Sequence, residues 1–300
     1  MILDIRYYII TLTAIFISIA IGVLIGFNMN GQELLLEQQR QLAENLESRF
    51  DELQFENSNL KDAIEAMKIE KKYTEEFMEK AYYTIINNQL INQNIAIIQT
   101  TEHFYYDHII QTLKDAGAII SAHILFTDKI NNIEQDDLDR IESKLNINLK
   151  RQNFAQILSE DIFNLVAHSV ESNLLNILME YEFVKILYKE DYVAPTDKII
   201  IAGGSYHVKN QMSLLMETNI VKTITSNNMR IIGVERLETP YSSIPLYKKL
   251  GISTIDNVNT LLGRISLVLV ANGIDGYFGE GAFSEELIPL NMPKEVDIIE

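Results

Sequence analysis

The sequence predicts an α/β domain carried behind one transmembrane helix and a long coiled coil. Three observations predict it. Residues 9–27 are free of charge, residues 33–86 hold one heptad frame without proline or glycine, and beyond Asn87 short β-branched runs alternate with helical stretches. The expected division is a short N-terminal segment 1–8, a membrane span 9–27, a coiled coil 33–86 and an α/β domain 90–300.

Within 9–27 only Thr11, Thr13 and Ser18 carry polar side chains. At roughly 1.5 Å per residue the run covers about 28 Å, close to the hydrocarbon thickness of a bilayer. Tyr7 and Tyr8 stand where an aromatic belt would lie. A cleaved signal peptide is the rival reading, but the run exceeds the usual stretch of about 7 to 15 apolar residues and no A-x-A site follows. Arg6 and the terminal amine face only Arg40 beyond the span, which places the N-terminus inside and the remainder outside. Ala14, Ser18, Gly22 and Gly26 recur every fourth residue, and small side chains on one face let a second helix approach closely.

After a polar break at 28–32 the heptad a positions are Leu36, Ala43, Phe50, Asn57, Ile64, Lys71, Met78 and Ile85. Leu46, Leu53, Leu60, Met67, Thr74 and Ala81 fall at d. Charged residues surround this seam, as in a parallel coiled coil, and Asn57 at an a position favours an in-register pair. The expected assembly is a homodimer. The competing reading is an amphipathic helix packed on the chain's own distal domain.

Beyond Asn87, runs at 95–98, 119–126, 199–202, 231–234 and 252–255 read as strands of a mainly parallel, Rossmann-like sheet. Helices are expected at 103–116, 135–145, 156–179, 208–227 and 258–271.

The net charge of −17 repels phosphate backbones and argues against a nucleic-acid partner. With no cysteine there is no disulfide, thiolate metal site or catalytic thiol. Loops after the strands are where ligands bind in such folds, and Gly203-Gly204-Ser205 is the richest of them. It matches neither a dinucleotide fingerprint nor a P-loop, and His207 takes the last glycine of G-x-S-x-G, so a tight strand-to-helix turn is the expected role. No arrangement of nucleophile and base stands out, and no catalytic residue is expected.

Five histidines and nine methionines raise the question of copper. Met212 and Met216 lie one helical turn apart with His207 nearby, but methionines at that spacing on an apolar helix usually fill a core. His103 and His108, five apart on an expected helix, would point about 140° away from each other. No tight metal site is expected. Asp256, between the last strand and the last helix, is expected to cap that helix.

The segment Ser253-Thr254-Ile255-Asp256-Asn257, with Gly263-Arg264, Gly276-Tyr277-Phe278-Gly279 and Pro289, resembles the mycobacterial copper transport protein B (MctB) family, as does Asp4-Ile5-Arg6-Tyr7-Tyr8 leading into the span. The resemblance covers anchor, coiled coil and α/β domain. It implies envelope localisation and copper transport or efflux. It also implies a competing role, because related actinobacterial proteins are membrane partners that regulate wall hydrolases during cell separation. The family's turn often reads G-H-Y-G, and here Tyr277 replaces the histidine. A small molecule held by the loops after Gly203 and Asp256 is a third reading.

Overall fold

The computed structural model describes residues 5–145, 147–189 and 195–289. The chain divides into two compact units that meet between Glu75 and Glu76.

The first unit consists of helix α1 (Ile5–Ile86), whose last turns belong to the second. Its segment Ile5–Phe27 has a mean hydropathy of 2.6, long and apolar enough to cross a membrane. The polar stretch 28–32 breaks the apolar composition without breaking the helix. One glycine costs a helix only about 1 kcal/mol, too little to interrupt one this long. Further along, Leu36, Leu46, Phe50, Leu53, Leu60 and Met67 are each at least 60% exposed. The expected seam is thus uncovered within one copy.

The second unit alternates strands and helices as its hydrophobic periods require. It opens with β1 (Asn94–Gln99), α2 (Asp107–Asp115), β2 (Ile119–Phe126), α3 (Asp128–Asn131) and α4 (Gln135–Leu145). Helices α5 (Arg151–His168) and α6 (Asn173–Glu180) and strand β3 (Val184–Lys189) follow. Then come β4 (Lys198–Ala202), α7 (Gln211–Ser226), β5 (Arg230–Val234), α8 (Ile244–Lys249), β6 (Ser253–Ile255), α9 (Leu261–Ala271) and β7 (Tyr277–Phe278). The sheet runs β3-β2-β1-β4-β5-β6-β7, parallel throughout except that β3 is antiparallel to β2.

All five expected strands are present, and β3 and β7 were not expected. The helix expected over 156–179 is two helices. Ser169 turns left-handed at φ 55°, and Ser172 starts α6 by accepting a hydrogen bond from Leu175 N–H at 3.0 Å. Helices expected from 103, 208 and 258 begin at Asp107, Gln211 and Leu261. Each missing first turn is a loop that leaves a strand end, which places polar side chains above the sheet.

Burial on both faces explains why the central strands read as unbroken apolar runs. Ala96, Ile98, Ile199 and Ile201 pack with α5 and α7, while Ile95, Ile97, Ile200 and Ala202 pack with α2, α9 and Tyr82 and Ile86 from the end of α1.

Candidate functional site

Strand order reverses beside β1, where β2 continues the sheet on one side and β4 on the other. Gln99 lies opposite both Leu125 and Ala202, so these three strands end level with one another. The loops leaving them border a cleft of about 130 Å³. Such a switch point is where open parallel sheets bind ligands.

Sharp turns build the walls. Gly204 adopts φ +93°, and a Cβ on Gly203 would come within 2.3 Å of Ser243 Oγ, so the chain after β4 passes too close to its neighbours for larger residues. Tyr106, fully buried, donates from its hydroxyl to Gly203 O at 2.7 Å and pins the loop after β1 to the loop after β4. Burial pushes that phenol far above its ordinary range, which keeps it a donor.

At the mouth, Ser205 Oγ lies 3.2 Å from His103 Nδ1, and His103 Nε2 lies 3.3 Å from Asp128 Oδ2. Tyr206 N–H also donates to Nδ1, at 3.4 Å. This assigns Nδ1 as the acceptor and puts the ring proton on the side of Asp128. The order is that of a Ser–His–Asp triad, but its surroundings differ. Asp128 is half exposed, and His207 N–H donates back to Ser205 Oγ at 3.0 Å. The two N–H groups after the serine are thereby occupied by His103 and Ser205 itself, so neither is free to hold an oxyanion. The arrangement suits recognition better than acyl transfer.

Deeper in, Glu217 is 2% exposed. Its Oε1 accepts from Thr100 Oγ1 at 2.7 Å, Lys209 Nζ at 2.5 Å and Ser243 Oγ at 3.2 Å. Its Oε2 has no hydrogen-bond partner among the described residues. Behind this network Glu235 accepts from Ser242 Oγ at 2.6 Å and Ser243 N–H at 2.8 Å. Burial pushes the Glu235 carboxyl up to about 7 despite those donors.

The residues singled out in the sequence are distributed differently. His207 is exposed, its ring centroid 5.4 Å from that of His103, while Met212 and Met216 are buried in the core. Among the described residues there is no cluster of three or more side chains able to hold a metal, and both ring nitrogens of His103 are already engaged. His103 sits in the loop before α2, so it does not share a helix with His108. In α1, Ala14, Ser18, Gly22 and Gly26 are exposed; Ser18 Oγ donates to Ala14 O at 2.8 Å, and nothing within 4 Å would meet a Cβ at either glycine. Asn57 is exposed beside Leu53 and Leu60.

Asp256 does not cap α9. Thr260 does, accepting from Gly263 N–H at 3.0 Å. The Asp256 carboxylate turns instead toward the C-terminal turn and accepts from Glu280 N–H and Gly281 N–H, both at 2.9 Å, and Ser284 Oγ at 2.5 Å. Its neighbours do related work. Ser253 donates to Asp275 at 2.9 Å, Asn257 donates to Glu280 at 3.1 Å, and Thr254 is fully buried in β6. Gly263 lets α9 pass against the backbone of Asn257, where a Cβ would stand 1.9 Å from its carbonyl oxygen. Gly276 and Gly279 take φ of +153° and +135°. These residues latch the last turn onto the sheet.

Sequence reasoning missed His103, Asp128, Lys209 and Glu217 as a group. The available signal was positional: the first three follow the apolar runs that form β1, β2 and β4.

A sequence profile of the family described as "Copper transport outer membrane protein, MctB" matches residues 1–289. No curated protein matches the chain.

Proposed function

The chain belongs to the MctB family, and from that premise we propose that it is a non-catalytic, membrane-anchored envelope component of copper transport or efflux. The match across residues 1–289 carries the reading, because it takes in the apolar helix as well as the α/β unit. Copper is cargo of the larger assembly. A lone helix without charge across 9–27 offers an ion neither ligands nor a wet path, so conduction falls to an oligomeric pore or another protein. Arg6 favours an N-terminus inside and an α/β unit outside.

Cells lacking the chain should retain more copper, or grow less well in it, and recover when the full chain is restored. Unchanged copper content and growth would sink the transport reading. Calorimetry with Cu(I) under reducing conditions should find no stoichiometric, sub-micromolar uptake by the full chain. Tight uptake that disappears when His207, Met212 and Met216 are all replaced would instead make the chain itself the carrier.

The uncovered seam of α1 favours a second reading, an envelope scaffold that binds wall-remodelling partners. Apolar residues at a and d exposed to water associate where a second copy is available. A chain lacking residues 1–31 should therefore run as a dimer in light scattering, and a monomer at high micromolar concentration contradicts this. Asn57→Leu should raise its melting temperature while loosening the choice of oligomer.

A further inference from the structure

We propose that the switch-point cleft is a binding site for a small uncharged polyhydroxyl compound, either a free sugar or polyol or the terminal ring of a glycan. Glu217 supplies the first reason. It lines the cleft, is 2% exposed, and among the described residues its Oε2 has no donor while Oε1 has three. A buried carboxylate oxygen left bare is costly, so a donor that reaches it from the cleft is favoured.

Charge supplies the second. Lys209 is matched by Glu217 at 2.5 Å, and His103, whose Nδ1 accepts from Tyr206 N–H, leaves Asp128 as a half-exposed negative charge at the mouth, so the cleft has no positive charge left over to select a phosphate. A ligand ammonium at Oε2 would also crowd the Lys209 ammonium already on the same carboxylate. A hydroxyl meets the requirement, because it donates to Oε2 and still accepts from a neighbouring donor.

The third reason is rigidity. His103, Ser205 and Tyr206 N–H hold one another in place, and α7 is anchored at its start by Asn210, which accepts from Ser213 N–H at 2.9 Å. Side chains already fixed lose little freedom on binding, which favours a weakly held neutral ligand. The cleft is open at Val208, which is 73% exposed and lies on its lining.

The test uses the full chain in lipid nanodiscs, in buffer free of sugars and polyols. Saturation-transfer NMR titrations would compare glucose, myo-inositol, glycerol and maltotriose with two charged controls, glucose 6-phosphate and glucosamine. At least one neutral probe should bind saturably in the millimolar range, with both charged controls at least tenfold weaker. A preference for maltotriose over glucose indicates a glycan terminus, and the reverse a free sugar. Glu217→Gln should weaken binding at least tenfold. Val208→Trp narrows the mouth from an exposed position, leaves the buried network untouched, and should abolish binding even if the Glu217 variant folds poorly. The proposal is overturned if no neutral probe saturates, if a charged control binds best, or if Val208→Trp binds like the native chain.

Discussion

Asp256→Asn should destabilise the α/β unit by about 2–4 kcal/mol, and Asp256→Ala by more. The carboxylate is 5% exposed and accepts two backbone N–H groups and one hydroxyl. Hydrogen bonds to a charged acceptor contribute about 1.5–3 kcal/mol each, and stranding a buried donor costs about 1–3 kcal/mol. Asparagine keeps one acceptor oxygen but aims an amide N–H₂ at a donor that expects an acceptor. A residue that only capped a helix would behave otherwise, since asparagine caps as well as aspartate. Thr260→Val, at the actual cap of α9, should cost about 1 kcal/mol. Denaturant melts of the full chain and these variants separate the cases, and an Asp256→Asn protein as stable as the native one refutes the latch. Gly279→Ala offers an independent check. Its Cβ would lie 1.8 Å from Asp256 Oδ1 at φ +135°, so it should damage the same turn from the opposite side.

That latch marks where the sequence was legible and where it was not. The residues Ser253, Asp256, Asn257, Gly263, Gly276 and Gly279 stood out as a motif, but their pairing spans up to 28 positions and links β6 to a turn with no periodicity of its own. Adjacency suggested that Asp256 served the next helix. Three residues of loop intervene before Thr260, which is nearer and takes that role. Strands β1, β2, β4 and β5 were readable because burial on both faces leaves them largely apolar, and β6, Ser253-Thr254-Ile255, was readable from its β-branched residues and the flanking Ile252. β3, at the sheet's edge, mixes Lys185 and Lys189 with its apolar residues, and β7 has two residues, too few to show a period. The division of α5 from α6 depends on Ser169 turning left-handed, which a serine does not announce.

The candidate site was hidden for a related reason. Gly203-Gly204-Ser205 was visible as a turn, but its partners come from two other strand ends and from Glu217, seven residues into α7. An acidic residue beside Met216 in an amphipathic helix looks like a solvated position. Only the return of α7 across β1 and β4 makes it a buried acceptor reached by Thr100 and Lys209. Strand order, which no local pattern encodes, decides that these residues meet.

Glu235 turns the same neighbourhood into a pH-dependent load on stability. Burial raises its carboxyl from 4.5 to about 7, outweighing the hydrogen bonds from Ser242 and Ser243 and the nearby Lys209, while Asp256 pushes in the same direction as burial. Between those two values the folded chain holds a proton that the unfolded chain has released. Folding therefore gains most from a neutral Glu235 below about pH 4.5, and that gain is lost as pH rises through about 7. At about 1.36 kcal/mol per pKa unit the difference is roughly 3 kcal/mol. Burial lowers His108 and His123 below their usual range, so their contribution runs the other way, strengthening as pH rises toward the ordinary histidine value of 6.5. The total curve mixes these effects, and a comparison with Glu235→Gln separates them. Glutamine is permanently neutral and can accept from Ser243 N–H while donating to Ser242 Oγ. Relative to the native chain, the Glu235→Gln protein should gain up to roughly 3 kcal/mol of stability between pH 5 and pH 8. Denaturant melts across that range measure the difference, and a stability gap that stays constant with pH would show that Glu235 ionises as readily in the folded chain as in the unfolded one.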